Sequence, residues 1–361
     1  MLELLWLVTY CGEVPVQVAG RIPGHLEWNR HVMYEAREKG YLDVYRAKYR
    51  QRVIRSLRIT RKGIEFVAKQ VPDQMALLLA RQAETETVHG NLEKTMRANA
   101  VATGIVMALN AGAELRPGAK PSLLEHALGS GHTISPTEAY YYTSQELRDA
   151  MVELDPKSVA KTSRILGVLI CGRQCLCLYY TGFSRMYWRA GEEMNIIAAI
   201  DMILMARGFR CDAYRQVVIG NNMSIPEKIT KLGLNAKSKY LTVNDHFASC
   251  HFLTNDRAGD SLLRVIADEQ LAGDFERRVM IPSFRPPAMP TRSYDAVTLD
   301  GSRPVSLNYQ FDLKRLIQFD HAPEGFRQSP VILCLDYQTD AIQRIVGSTV
   351  EVRAIQKKLL I

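Results

Sequence analysis

Between Arg46 and Lys62 the chain carries eight cationic side chains, Arg46, Lys48, Arg50, Arg52, Arg55, Arg58, Arg61 and Lys62, and no acid. Around them Tyr41–Tyr45 and Val53–Thr60 read as two strands, the second alternating Arg55, Leu57 and Ile59 against Ile54, Ser56 and Arg58, with the cationic connector 48–52 at their tip. A strand pair of this kind presents a dense positive surface. Residues 1–69 hold 13 Lys/Arg against seven Asp/Glu, so this first fifth carries +6 of the net +8. A local excess points to a polyanionic partner rather than to general solubility.

The residues before the hairpin give it a context. Leu2–Tyr10 has the composition of a core helix stopped by Gly12, and Pro15 suits the first turn of a second short helix through Arg21. After the turn Ile22-Pro23-Gly24, a third helix runs over His25–Lys39 and ends at Gly40. Thr60 is a good N-cap for a helix that follows the hairpin. Helix, helix-turn-helix, basic hairpin and helix is the order of a winged helix, in which the third helix enters the major groove and the hairpin reaches phosphates. On that expectation the duplex-DNA contacts are Asn29, Arg30, Tyr34 and Arg37 from the third helix, with Asn29 and Arg30 as base readers, and Arg46, Lys48, Arg50, Arg52, Arg55 and Arg58 from the hairpin. A solvated edge whose charges only prevent aggregation, or a protein-docking module, would use the same residues differently.

Length predicts roughly two or three domains. The boundaries fall at 1–70 for the winged helix, 71–135 for a helical spacer and 136–361 for a mixed-sheet domain, an α+β head joined to an α/β body. In the spacer, Leu77–Leu79, Val88, Leu92 and Met96 predict one long helix or a helix pair, and the 73–110 region offers a homodimer seam. The body alternates strands (Ile165–Cys171, Gln174–Tyr180, Gln216–Ile219, Leu241–Val243, Val297–Leu299, Val305–Phe311, Val331–Leu335) with helices, among them Glu192–Arg207 and Asp260–Arg277. Seven scattered cysteines in apolar contexts, no leader pattern and no run near about 20 apolar residues lead us to expect a reduced, cytoplasmic protein that does not enter a membrane.

One constellation could carry chemistry. Asp295 stands at the entrance of a hairpin turned by Asp300-Gly301, and a return strand Leu307–Lys314 would put Gln310, Asp312 and Lys314 on one face. Restriction-endonuclease-like cores use such acids to bind a divalent ion and a lysine to position water or stabilise charge. In this reading Asp295, Asp312 and Lys314 are catalytic, Asp295 and Asp312 hold Mg²⁺, and otherwise no cofactor is expected.

With the winged helix ending in Leu57-Arg58-Ile59-Thr60-Arg61-Lys62-Gly63, the helical spacer and the Asp295-Ala296-Val297 hairpin returning into an acidic strand, the chain resembles the replication-relaxation proteins of plasmids and integrative conjugative elements. The resemblance covers the first 70 residues and about 20 around Asp295–Lys314, and it implies a DNA-binding role in element replication, transfer or regulation. Those proteins tend to carry Pro-Asp-Ala at the hairpin entrance and two acids on the return strand. Here Tyr294 and Gln310 stand in their place, which argues for a body without nuclease activity.

Other chemistries lack a motif. Cys171, Cys175, Cys177, His246, Cys250 and His251 do not have paired zinc spacing, no nucleotide-binding glycine loop or nucleophile elbow occurs, and Tyr140–Tyr142 read as core residues in a chain with no His-x-His. Asp336 with Glu351-x-Arg353 is a weaker acid set, because a helix lies between them.

Overall fold

The apolar opening segment becomes helix α1 (Leu2–Cys11), buried from Leu4 to Tyr10 and closed by Gly12 at φ +74°. In the computed structural model the chain divides at Pro121/Ser122 into two units. The structure describes residues 1–49, 51–75, 78, 92–123, 134–154, 164–233, 238–281, 283–287, 294–321, 323 and 325–356.

In the first unit α1 is followed by strand β1 (Val14–Pro15), the single turn α2 (Val16–Ala19) and helix α3 (Leu26–Glu38). Pro15 ends the short strand rather than opening a helix, and the second helix is shorter than expected. Strands β2 (Leu42–Tyr49) and β3 (Arg52–Ile59) then form a hairpin, and α4 (Arg61–Gln70) starts at Thr60, whose hydroxyl accepts the Gly63 N–H at 3.1 Å. The antiparallel sheet has the order β1-β3-β2, with Val14 opposite Leu57. Gly63 is required by contact: a Cβ there would run into the Tyr41 carbonyl and lie 2.7 Å from Ile59.

Helix α5 (Leu92–Asn110) falls in the stretch expected to space two bodies. Instead it packs within the first unit on α1, β1 and α2, burying Ala100, Ala102 and Ile105–Ala108. Asn99 exchanges hydrogen bonds with Ser56 of β3, and Asn110 donates to Arg21 O at 2.7 Å. The apolar side that a dimer seam would need is consumed inside the chain over residues 92–110. Residues 76–77 and 79–91, which include Leu77, Leu79 and Val88, lie outside the described residues.

The second unit is mixed α and β. Its first sheet runs β4 (Ala139–Thr143), β5 (Ile165–Cys171), β6 (Gln174–Gly182), β7 (Ala213–Gly220) and β8 (Ser249–Thr254) in sequence order, antiparallel through β6 and parallel after it. Helices α6 (Ser144–Leu154), α7 (Ala190–Ala206) and α8 (Ile225–Thr230) supply Leu147, Ile196, Ile200, Ile203 and Ile225 to a core shared with Tyr140, Tyr142, Val168, Cys175, Cys177 and Val218. The tyrosine run Tyr140–Tyr142 is buried strand, as core packing requires. Alternation sends Leu176, Leu178 and Val217 to the opposite side. Helix α9 (Arg257–Ala267) packs on β8, and α10 (Glu269–Met280) follows it; the single helix expected there is split because Asp268 caps α10 through the Gln270 and Leu271 N–H groups.

The second sheet, β9 (Phe284–Arg285), β10 (Ala296–Thr298), β11 (Pro304–Leu307), β12 (Val331–Leu335) and β13 (Glu351–Ile355), repeats the same succession: three antiparallel strands, then two parallel ones. Helices α11 (Leu313–Ile317) and α12 (Thr339–Val346) make its parallel crossovers. Leu241–Val243 is not a strand; only Tyr240 forms a bridge, to Tyr187. Among the described residues no helix is long and apolar enough to cross a membrane.

Candidate nucleic-acid interface

The hairpin β2–β3 pairs along its whole length, so the cations sit on the strands and not only at a tip. Arg46 lies directly opposite Arg55, and Lys48 opposite Val53. Period-two geometry puts Arg46, Lys48, Val53 and Arg55 on the face whose inner end is Leu42, Val44 and Leu57. Leu42 and Leu57 are core residues, whereas Arg46, Lys48, Arg52 and Arg55 are exposed and Val53 is 61% exposed. That face therefore runs from the core out into solvent and becomes cationic as it does so. Arg46, Lys48 and Arg55 form no ion pair with any described residue. Like charges directly across an antiparallel pair are destabilising, so Arg46 and Arg55 do nothing for the fold. Arg50 lies outside the described residues.

Arg58 is placed otherwise. It belongs to the opposite face, its guanidinium 3.4 Å from the Tyr45 ring centre, and its Nε donates to Glu13 Oε1 at 2.7 Å. Glu13 is wholly buried and the Arg58 side chain is 17% exposed. The expected phosphate contact is thus an internal counterion for a buried carboxylate.

The third helix is charge-balanced. Arg30 pairs with Glu27 at 2.7 Å and Lys39 with Glu35 at 2.6 Å, and the latter hydrogen bond lowers the Glu35 pKa and raises that of Lys39. Asn29, expected to read a base, donates its Nδ2 to Ile22 O at 2.6 Å and so ties the helix to the turn before it. Tyr34 and Arg37 face outward as expected. The i, i+3 spacing of Trp28, His31 and Tyr34 adds an outward aromatic edge, with Trp28 64% and Tyr34 60% exposed and Trp28 against His31. That spacing is visible in the sequence, where Tyr34 is an expected contact and Trp28 and His31 are not.

The acid set in the second unit does not form the expected strand face. β11 ends at Leu307, because the Asn308 side chain accepts the Asp312 N–H at 2.8 Å and Phe311 turns into the left-handed region at φ +50°. Asp312 is consequently the N-cap of α11, its Oδ1 accepting the Lys314 N–H at 3.0 Å and the Cys250 N–H of β8 at 3.0 Å. Lys314 extends to the carbonyls of Phe247 (2.8 Å) and Asp245 (3.2 Å). Asp295 accepts the Leu307 N–H at 2.6 Å and pairs with Arg315 at 2.6 Å. Each of the three has a separate structural partner, and among the described residues no cluster of three or more His, Cys, Asp or Glu could hold a metal. Gln310, expected beside them, has its carbonyl O bound to His251 Nδ1 at 3.1 Å. That bond fixes the Nδ1–H tautomer, so Nε2 accepts from the Ser249 hydroxyl at 2.7 Å and neither nitrogen is left for zinc. Burial holds the His251 pKa below its ordinary value.

Compared with known proteins, this chain matches no family, no curated protein and no solved structure.

Proposed function

We propose that the first unit is a winged-helix domain that binds duplex DNA, with the hairpin supplying most of the phosphate contact. The carrying observation is Arg46 set directly across from Arg55 with Lys48 on the same exposed face and no acid paired to any of them. Such an arrangement costs stability in the free protein and gains it when a phosphate enters between the charges. The order α1-β1-α2-α3-β2-β3 and the sheet β1-β3-β2 support the winged-helix assignment. Helix α3, net neutral once its C-cap Lys39 is counted, contributes Tyr34, Arg37 and Trp28 rather than a strong field.

In this reading the second unit is a restriction-endonuclease-like scaffold whose expected metal ligands are engaged elsewhere, Asp295 by Arg315 and Asp312 as the N-cap of α11. The protein acts by binding, in the replication, transfer or control of a mobile element, as its resemblance to replication-relaxation proteins implies. Titrating a labelled duplex by fluorescence anisotropy tests this: the native chain binds, and the Arg46→Ala/Lys48→Ala/Arg55→Ala variant, still folded by circular dichroism, loses at least tenfold in affinity. Equal affinity of the two proteins would remove the hairpin from the interface.

A further inference from the structure

The segment leaving β6 holds a second aromatic and cationic surface, entirely within the second unit. After Gly182 at φ +62°, residues 186–188 pair antiparallel with 239–241: Trp188 N–H donates to Lys239 O at 3.1 Å and Leu241 N–H to Met186 O at 2.9 Å. Tyr187 and Tyr240 are the bridge pair, so their side chains leave on one face. Their rings stack at 5.2 Å with 28° between planes. The inward residues of the same short ladder are held firmly, Leu241 and Trp188 being buried and Trp188 lying edge-on to Tyr179 at 5.1 Å. The outward pair is thereby pre-organised. Tyr187 is nevertheless 61% exposed, so with one ring face on Tyr240 the other is open to solvent.

The charge around this stack is of one sign. Arg185 is exposed, its guanidinium 4.3 Å from the Tyr240 ring centre, and the Lys239 ammonium lies 5.7 Å from the same ring. Neither has an acid partner among the described residues, whereas the neighbouring Arg189 is neutralised by Glu192 at 2.7 Å. An open tyrosine face flanked by two unpaired cations matches an unpaired base with its phosphates: the ring stacks on the base and the cations meet the backbone. A base paired within a duplex has no free face to offer.

We propose that Arg185, Tyr187, Lys239 and Tyr240 form a stacking site for an unpaired nucleobase of a single-stranded nucleic acid. The site is distinct from the duplex-binding hairpin and does not depend on it.

The test is anisotropy of labelled oligothymidylate and oligouridylate with the full-length chain. We expect Tyr187→Leu to weaken oligothymidylate binding about tenfold or more, Tyr187→Trp to retain it, and Arg185→Ala/Lys239→Ala to weaken it and flatten its salt dependence. The Arg46→Ala/Lys48→Ala/Arg55→Ala variant should keep single-strand binding even where duplex binding is lost, so failure of the hairpin reading and failure of this one are separately visible. Comparing the two oligonucleotides shows whether the strand is DNA, RNA or either. The proposal is overturned if the native chain binds neither oligonucleotide, if Tyr187→Leu binds as tightly as native, or if the hairpin variant alone abolishes single-strand binding.

Discussion

Replacing Arg58 by Met should damage the fold and leave the proposed DNA-binding face alone. Arg58 gives Glu13 Oε1 its principal hydrogen bonds, the Thr95 hydroxyl adding only a long one at 3.5 Å. Glu13 is 0% exposed, so without the guanidinium its carboxylate sits in the protein with no counterion and no access to water. Breaking a buried pair from one side costs about 3–5 kcal/mol, a large share of the roughly 5–15 kcal/mol that stabilises a domain. Loss of the contact with Tyr45 adds to this. Removing the acid instead is gentler, because Arg58 is near enough to the surface to reach solvent. The double variant Glu13→Gln/Arg58→Met should recover much of the loss, since no charge is then stranded. Urea unfolding followed by tryptophan fluorescence measures all three, with Trp6 and Trp28 reporting on the first unit. The expected order of midpoints is native, then the double variant, then Arg58→Met. If Arg58→Met unfolds within about 0.5 kcal/mol of native and loses duplex affinity as Arg55→Ala does, Arg58 is a phosphate ligand and the internal-counterion argument is wrong.

Other substitutions probe the remaining assignments. Gly63→Ala should cost about 1–3 kcal/mol in thermal or urea unfolding, since its Cβ meets the Tyr41 backbone and Ile59; an unchanged midpoint would mean that α4 shifts freely. Asn29→Ala should loosen the turn before α3, at about 1–2 kcal/mol, without changing which duplex is preferred; an altered sequence preference would restore Asn29 as a base reader. His251 is neutral when buried, and its native pKa lies below the unfolded value of 6.5, so the unfolded chain takes up a proton that the folded one refuses and stability falls as pH drops below about 6.5. His251→Gln should remove that component from the pH profile of the urea midpoint, and a profile identical to native would refute it. Supercoiled plasmid incubated with the protein and Mg²⁺ or Mn²⁺ should stay intact. Nicking that disappears in Asp295→Ala would reinstate the acid set as catalytic.

The elements were legible where local rules act alone. Leu2–Cys11, the hairpin about Gly172-Arg173, Val331–Leu335 and the Thr60 cap all follow from apolar runs, turn glycines and capping chemistry. What escaped depended on partners distant in sequence. The burial of Glu13 shows only once β3 lies beside the end of α1, and Arg58 reads as one more exposed cation until then. In the same way, α5 looked like a free spacer because nothing local announces that Ser56 will meet Asn99. At Asn308–Asp312 a side chain that completes a turn outcompeted an alternation that otherwise fitted a strand, and the acids went with it. Tyr187 and Tyr240 are brought together by an isolated antiparallel bridge between segments about fifty residues apart in the chain, which no periodicity could have joined.

The central claim is that the exposed cations of β2 and β3 exist to neutralise a nucleic-acid backbone. The salt dependence of duplex binding tests it most directly: a plot of log K against log salt concentration should be steep for the native chain and shallower by roughly 0.9 for each of Arg46, Lys48 and Arg55 replaced by alanine. A slope that stays the same after all three are removed, or a native chain whose duplex binding ignores salt, would contradict it.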